Sequence, residues 1–298
     1  MPEPAEAGFA TVGVVGLGAM GAPVARRLAA AGHRLVVHDA SPERAASVPG
    51  AAVAASVAEV AGAVDVLLTC LPSPEAVEAV YAEVSRPGLL AADLSTVDPD
   101  LARRLHARLA ERGVAFAECP MLGGVDQARD GQLFLILSGP EAACRRVEPL
   151  LSAVARGWRR VGGPGAASLF KTVQNGLGLA QLAAIAEALV LVERAGADPA
   201  AFVEVVEAGR GMAAGPLFSA RSRMMLDPTT APPGAALRIA AKDAALAAET
   251  ARRHRLGPSS LLAATENPFA AALAAGLGEH DISAVVRAVR ERRDGGDA

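Results

Sequence analysis

Gly16, Gly18 and Gly21 fall as G-x-G-x-x-G within GVVGLGAMGAPVARRLAAAG, the stretch from Gly13 to Gly32. The run before them, Phe9 to Val15, is apolar and β-branched and reads as a buried strand; the run after them, Val24 to Ala31, is rich in Ala and Leu and reads as a helix closed by Gly32. The three glycines of such a turn differ in what they permit. Gly16 makes the tight turn, Gly18 lets the backbone approach a pyrophosphate, and Gly21 lets the helix pack on the strand. Unpaired N–H groups at the helix start then face the anion. The segment predicted to hold a dinucleotide is therefore Gly16, Leu17, Gly18, Ala19, Met20 and Gly21.

A second short strand, HRLVVH from His33 to His38, ends at Asp39, near the ~20-residue spacing at which a dinucleotide fold places a ribose-binding acid. A carboxylate there accepts both ribose hydroxyls and repels a 2′-phosphate, and Ala40 places no guanidinium beside it. Charge logic predicts NAD, with NADP left possible by Arg44. The competing role for Asp39 is to cap a helix beginning near Pro42, which Ser41 could do equally well.

Short apolar strands and Ala-rich helical stretches alternate as far as about Val161, with strands at Val64 to Cys70, Gly88 to Asp93, Val114 to Glu118 and Leu133 to Ser138. Such alternation predicts an α/β fold, a doubly wound Rossmann-type domain over 1–163. After the Gly/Pro cluster at Gly162 to Gly165 the strand signals stop, so 164–298 is expected to be an all-helical substrate and oligomerisation domain. It opens with a long, nearly apolar helix over about 167–195, which should be buried on most sides. The loop-rich stretch after Gly211, with Pro216, Pro228, Pro232 and Pro233, is expected to border a cleft.

At 298 residues and 52% hydrophobic content the chain can bury a large core, and its net charge of −3 gives no reason to expect nucleic acid or an anionic membrane as partner. Charges interrupt the Ala-rich helices, so no membrane span is expected. Cys70, Cys119 and Cys144 are odd in number and widely spaced, which reads as reduced thiols of a cytoplasmic protein; the N-terminus lacks the pattern of a secretion signal. The five histidines show no ligand spacing, and no metal site is predicted.

Several polar residues stand where burial would be costly without a purpose. Lys171 is a lone cation early in the apolar helix, and Asn175 lies one helical turn on, so both share a face and can hold one substrate hydroxyl. Against this, a lysine at an exposed helix start can snorkel. Gly123 and Gly124 offer unobstructed backbone N–H groups to a carboxylate, or form an ordinary turn. Ser95 and Thr96 follow a strand at the sheet end where such folds bind ligands, although they could also cap the next helix. Lys242 and Asp243 interrupt an Ala-rich helix, as site residues or as a solvated pair.

The stretch GLGAMGAPVARRLAAAGH resembles the opening of the β-hydroxyacid dehydrogenase family, and later motifs follow in order: Leu71-Pro72 with Val77 after it, Asp93-Leu94-Ser95-Thr96 with Pro99, Pro120 with Gly123-Gly124 and Gly131, KTVQNG with Lys171 and Asn175, then Lys242-Asp243 and GLGEHDISA. The resemblance implies hydride transfer between NAD(P) and a small 3-hydroxy acid or its semialdehyde, with Lys171 as the catalytic acid and base. It implies substrate contacts from Ser95, residues 122–124, Asn175 and Asp243, and cofactor contacts from Leu71, Pro72, Val77, Thr96 and Lys242. A homodimer or homotetramer is the expected assembly, because the long helix and C-terminal half are so apolar. One residue departs from the pattern: Leu122 stands where the family places a Ser that helps bind the substrate carboxylate. Either the glycine amides and another donor hold the carboxylate, or the substrate is different. An imine reductase and a non-catalytic dinucleotide-binding module therefore stay open as alternatives.

Overall fold

The computed structural model describes residues 11–228, 234–257 and 259–292. Phe9, Pro232 and Pro233, which entered the reading above, lie outside them. The chain divides into two compact units, residues 1–171 and 172–298.

In the first unit the strands are β1 (Thr11–Val15), β2 (Arg34–His38), β3 (Ala52–Val53), β4 (Val66–Thr69), β5 (Leu90–Asp93), β6 (Ala115–Glu118), β7 (Met121–Leu122), β8 (Leu133–Ser138) and β9 (Ala155–Gly162). Helices α1 (Gly21–Ala30), α2 (Pro42–Ala45), α3 (Val57–Ala63), α4 (Pro74–Ala82), α5 (Pro99–Glu111), α6 (Val125–Arg129) and α7 (Glu141–Leu151) connect them. The strands form one sheet in the order β3-β2-β1-β4-β5-β6-β8-β7, with β9 paired to β8. The first six strands are parallel, while β8 runs antiparallel to β6 and β7.

Both faces are covered along β1, β4, β5, β6 and β8, which explains why these strands read as continuous apolar runs. Alternate residues point opposite ways. Val12 and Val14 of β1, Leu68 of β4 and Leu90 and Ala92 of β5 pack into one core; Val15, Leu67 and Ala91 pack into the other with Val60, Tyr81 and Leu105. Caps stop the connecting helices from sliding: Ser41, Ser56, Ser73 and Asp98 accept backbone N–H groups at the starts of α2, α3, α4 and α5. Ser95 and Thr96 thus do not cap α5, because Asp98 does.

Helix α8 (Ala166–Arg194) starts in the first unit and ends in the second, which continues through α9 (Pro199–Gly209), α10 (Pro216–Leu226), α11 (Leu237–Arg253), α12 (Leu261–Ala264), α13 (Glu266–Ala274) and α14 (Val285–Glu291). Contrary to the expectation from sequence, α8 is long and apolar enough to cross a membrane by length and composition. Its apolar residues explain the composition otherwise: Leu179, Leu182, Ile185, Ala186, Leu189 and Val190 are buried in the core of the second unit with Phe218, Met225, Phe269 and Val285. Nor is the helix buried on most sides, since Phe170, Val173, Leu177 and Leu191 are exposed.

Candidate functional site

The chain runs β1, β2, β3 toward one edge of the sheet and β4, β5, β6 toward the other, so the order reverses between β1 and β4. Ligands of open α/β sheets bind outside the carboxyl ends of the strands at such a reversal. Four segments leave from those ends: 16–20 after β1, 70–73 after β4, 94–98 after β5 and 119–120 after β6.

The three glycines of the first segment differ in why they must be glycine. Gly16 has φ +91°, and a Cβ there would collide with the Cys70 carbonyl oxygen; one on Gly21 would collide with the Gly16 carbonyl oxygen. The fold itself demands both. A Cβ on Gly18 would meet nothing within 4 Å, and its backbone is not left-handed. Protein packing does not require glycine at that position, and the space fits a ligand phosphate approaching the backbone. Helix α1 supports the fit, since no side chain caps its start and its first turn holds no acid. These residues suit the pyrophosphate of a dinucleotide.

Asp39, just past β2, accepts the Leu17 amide on Oδ2 at 2.7 Å and the Ser41 amide on Oδ1 at 2.8 Å. Ser41 Oγ is the cap of α2, leaving the Asp39 carboxylate to tie the second strand end to the glycine turn. Each of its oxygens keeps a lone pair for a ribose hydroxyl.

Behind the second and third segments lies a buried polar chain. Tyr81 Oη and Thr69 Oγ1 lie 2.8 Å apart, and Thr69 Oγ1 donates to Asp93 Oδ1 at 2.7 Å. Ser95 donates both its hydroxyl, at 2.6 Å, and its amide, at 3.1 Å, to the same oxygen. The Ser95 hydroxyl in turn accepts the Leu71 amide at 2.9 Å. Burial pushes the Asp93 carboxyl above its ordinary value, and the bonds from Ser95 and Thr69 offset this only in part. Pro72 is exposed and Leu71 and Thr96 are half-buried past the carboxyl ends of β4 and β5, while Val77 is wholly buried in the core and supports the turn from behind.

After β6 the chain turns through Pro120 into β7, where Leu122 pairs with Phe134. Gly123, at φ +126°, and Gly124 are exposed. The Gly124 amide is not open: it donates to Gln127 Oε1 at 2.8 Å.

Glu118, 2% exposed, closes β6 and holds the start of α8. Oε1 accepts the Gly165 amide at 2.6 Å and lies 3.0 Å from His106 Nε2; Oε2 accepts the Ser168 amide at 3.1 Å and the Ser168 hydroxyl at 2.7 Å. Ser138 Oγ accepts the Ala167 amide at 2.9 Å, so side chains from two strands satisfy N–H groups that a helix start leaves open. Burial alone would raise the Glu118 carboxyl, but the bonds from His106, Ser168 and Gly165 outweigh it and hold the carboxyl below its ordinary value. Lys171, half-buried, lies one turn beyond this anchor.

In the second unit Asn175 Nδ2 donates to Asp243 Oδ2 at 2.7 Å, and Lys242 Nζ lies 2.8 Å from Asp243 Oδ1. Asp243 is 8% exposed, which sets this pair apart from a solvated one. The neighbouring Gly176 is what lets α11 come so near: a Cβ there would lie 2.6 Å from Ala247 Cβ, one turn along from Asp243. Glu118 and Gln127 were not among the residues singled out from sequence, and Asp93 entered only as the first residue of the Asp93-Leu94-Ser95-Thr96 motif, with no role of its own. The one available signal for Glu118 was a charge ending an apolar strand.

Two family models match the chain: "NAD binding domain of 6-phosphogluconate dehydrogenase" over residues 11–163, and "NAD-binding of NADP-dependent 3-hydroxyisobutyrate dehydrogenase" over residues 165–289. An L-threonate dehydrogenase of Cupriavidus necator is 35% identical over 285 residues, spanning 93% of this chain and 95% of that one. Among solved structures, Mycobacterium tuberculosis 3-hydroxyisobutyrate dehydrogenase with L-serine gives a TM-score of 0.83 at 29% identity, over 95% of this chain and 99% of the other. An imine reductase from Pseudomonas sp. gives 0.61 at 22% identity, over 94% and 99%, a likeness of fold alone.

Proposed function

The chain belongs to the β-hydroxyacid dehydrogenase family, and from that premise we propose that it oxidises the hydroxyl of a small 3-hydroxy acid, or reduces the matching semialdehyde, with Lys171 moving the proton. It is an NAD(P)-dependent hydroxy acid dehydrogenase. The observation that carries the proton role is the placement of Lys171 and Asn175 one turn apart on α8, with the Asn175 amide held by Asp243.

Held by the glycine turn at residues 16–21 and by Asp39, a nicotinamide dinucleotide would supply the hydride acceptor for the carbinol carbon. Lys171 Nζ takes the hydroxyl proton as that carbon becomes a carbonyl, and returns it in the reverse direction. Asn175 keeps Oδ1 and one N–H for the same hydroxyl, because a single N–H satisfies Asp243. Asp39 favours NAD, since a 2′-phosphate would meet its carboxylate and the Leu17 and Ser41 amides fix that carboxylate in place.

A homodimer or homotetramer fits the exposed apolar stripe on α8, where Phe170, Leu177 and Leu191 stand at multiples of seven residues and a second copy would cover them. The free thiols of Cys119 and Cys144, both buried, suit a reducing cytoplasm.

The test is NAD- and NADP-linked oxidation of 3-hydroxyisobutyrate, L-serine, 3-hydroxypropionate, glycerate and L-threonate, by the wild type and Lys171→Ala. Activity on at least one, better with NAD and lowered by about 10²- to 10⁴-fold in the variant, supports the reading. Full activity in Lys171→Ala removes the proton role; inactivity on every acid despite cofactor binding points to imine reduction or to a binding role.

A further inference from the structure

The turn after β7 is poor in the groups that hold a carboxylate. Leu122 brings no hydrogen bond, the Gly124 amide is engaged by Gln127 Oε1 at 2.8 Å, and the guanidinium of Arg129 is held by Asp126 at 3.0 Å and Asp130 at 3.2 Å. Yet the bond that occupies Gly124 also orients Gln127. A backbone N–H needs an oxygen to accept it, so Oε1 is fixed on Gly124, and Nε2 with its two N–H groups stands beside it on the same planar amide. The side chain is exposed. Both glycines make room for it: a Cβ on Gly123 would lie 3.0 Å from Gln127 Cβ, and one on Gly124 would lie 3.4 Å from Gln127 Oε1.

We propose that Gln127 is a substrate-binding residue, whose Nε2 donates to the substrate carboxylate where Leu122 has no hydroxyl and Gly124 no open amide. The proposal rests on the reading that a hydroxy acid seats against residues 122–124. Gln127→Glu separates this role from a purely structural one. Glutamate keeps the oxygen that Gly124 needs, removes the donor, and sets a negative charge against the carboxylate. Gln127→Ala removes both groups and opens the Gly124 amide.

The experiment titrates the NADH complex of each protein with 3-hydroxyisobutyrate, L-threonate and L-serine, following NADH fluorescence, beside steady-state oxidation and thermal melting. Gln127→Glu is expected to melt with the wild type, keep its KM for NAD, and bind the acids at least about tenfold more weakly. Gln127→Ala is expected to lose less affinity, because the opened Gly124 amide donates to the carboxylate. Wild-type affinity in a folded Gln127→Glu protein overturns the proposal, as does a wild type that binds none of the three acids. If the wild type binds an acid in a Gln127-dependent way and oxidises none, the functional reading fails and this one stands.

Discussion

Glu118 accepts both the amide and the hydroxyl of Ser168 through one oxygen, three residues before Lys171. The strand end that leads into the Leu122 turn is thereby joined to the start of the helix that carries the proposed proton carrier. Glu118→Gln replaces one accepting oxygen by an NH₂ that faces donors. We expect stability to fall by about 2–4 kcal/mol, from two buried donors left without partners. With the helix start loosened, kcat should fall by roughly tenfold while KM for NAD changes little, since small displacements of a catalytic group are costly. Urea unfolding and steady-state kinetics check both, and an unchanged kcat in a destabilised protein would mean that Lys171 does not depend on this anchor.

The two buried carboxyls should respond to acid with opposite signs. The folded state holds Glu118 below its ordinary value, so its contribution is present above the unfolded value of about 4.3 and is lost as pH falls through the folded one. Asp93 is held above its ordinary value, so its contribution is full below about 3.9 and is lost as pH rises through the folded one. In urea unfolding from pH 7 downward, the stability gap between wild type and Glu118→Gln should shrink, and the gap between wild type and Asp93→Asn should widen in favour of the wild type. Parallel curves would contradict the assignment.

Substitutions in the glycine turn should separate folding from cofactor binding. Gly21→Ala sets a methyl against the Gly16 carbonyl oxygen and should lower the melting temperature markedly. Gly18→Ala meets no protein atom and should leave melting unchanged while weakening NAD about tenfold or more. Calorimetric NAD titration beside thermal melting distinguishes the two, and a Gly18→Ala protein with wild-type affinity would remove the phosphate from that space.

Much of this was legible in the sequence, for local reasons. The strands β1, β4, β5, β6 and β8 announce themselves because both their faces are largely buried, and β2 because Leu35 and Val37 alternate with less buried neighbours. Strand β9 did not, since ARGWRRVG pairs with β8 and leaves most of its side chains in contact with solvent. The two-residue strands β3 and β7 are too short for any periodicity. The glycine turn is contiguous and could be read directly. The Asp39 bond to Leu17 spans 22 residues and exists because β1 and β2 pair side by side. Glu118 gathers His106, Gly165 and Ser168 from across 62 positions of chain, a convergence that only the folded sheet creates. Gln127 was hidden because its partner cap is a glycine, which has no side chain to complete the usual pattern.

Ser95 was expected from the family resemblance to touch substrate, and its hydrogen bonds suggest a different division of labour. Its only proton goes to Asp93 and one lone pair takes the Leu71 amide, so a single lone pair is left for any ligand. A carboxylate cannot donate to it. The hydroxyl instead ties the Leu71-Pro72 turn, one of the expected cofactor contacts, to the Asp93, Thr69 and Tyr81 chain beneath. Ser95→Ala should therefore raise KM for NAD by about fivefold, the loss of roughly 1 kcal/mol of positioning, and leave KM for the hydroxy acid nearly unchanged. Ser95→Thr keeps the hydroxyl and should restore most of the loss. Initial rates with each substrate varied in turn decide the matter: an effect confined to KM for the hydroxy acid would return Ser95 to the substrate and leave the turn to be held by Pro72 and the buried Val77 behind it.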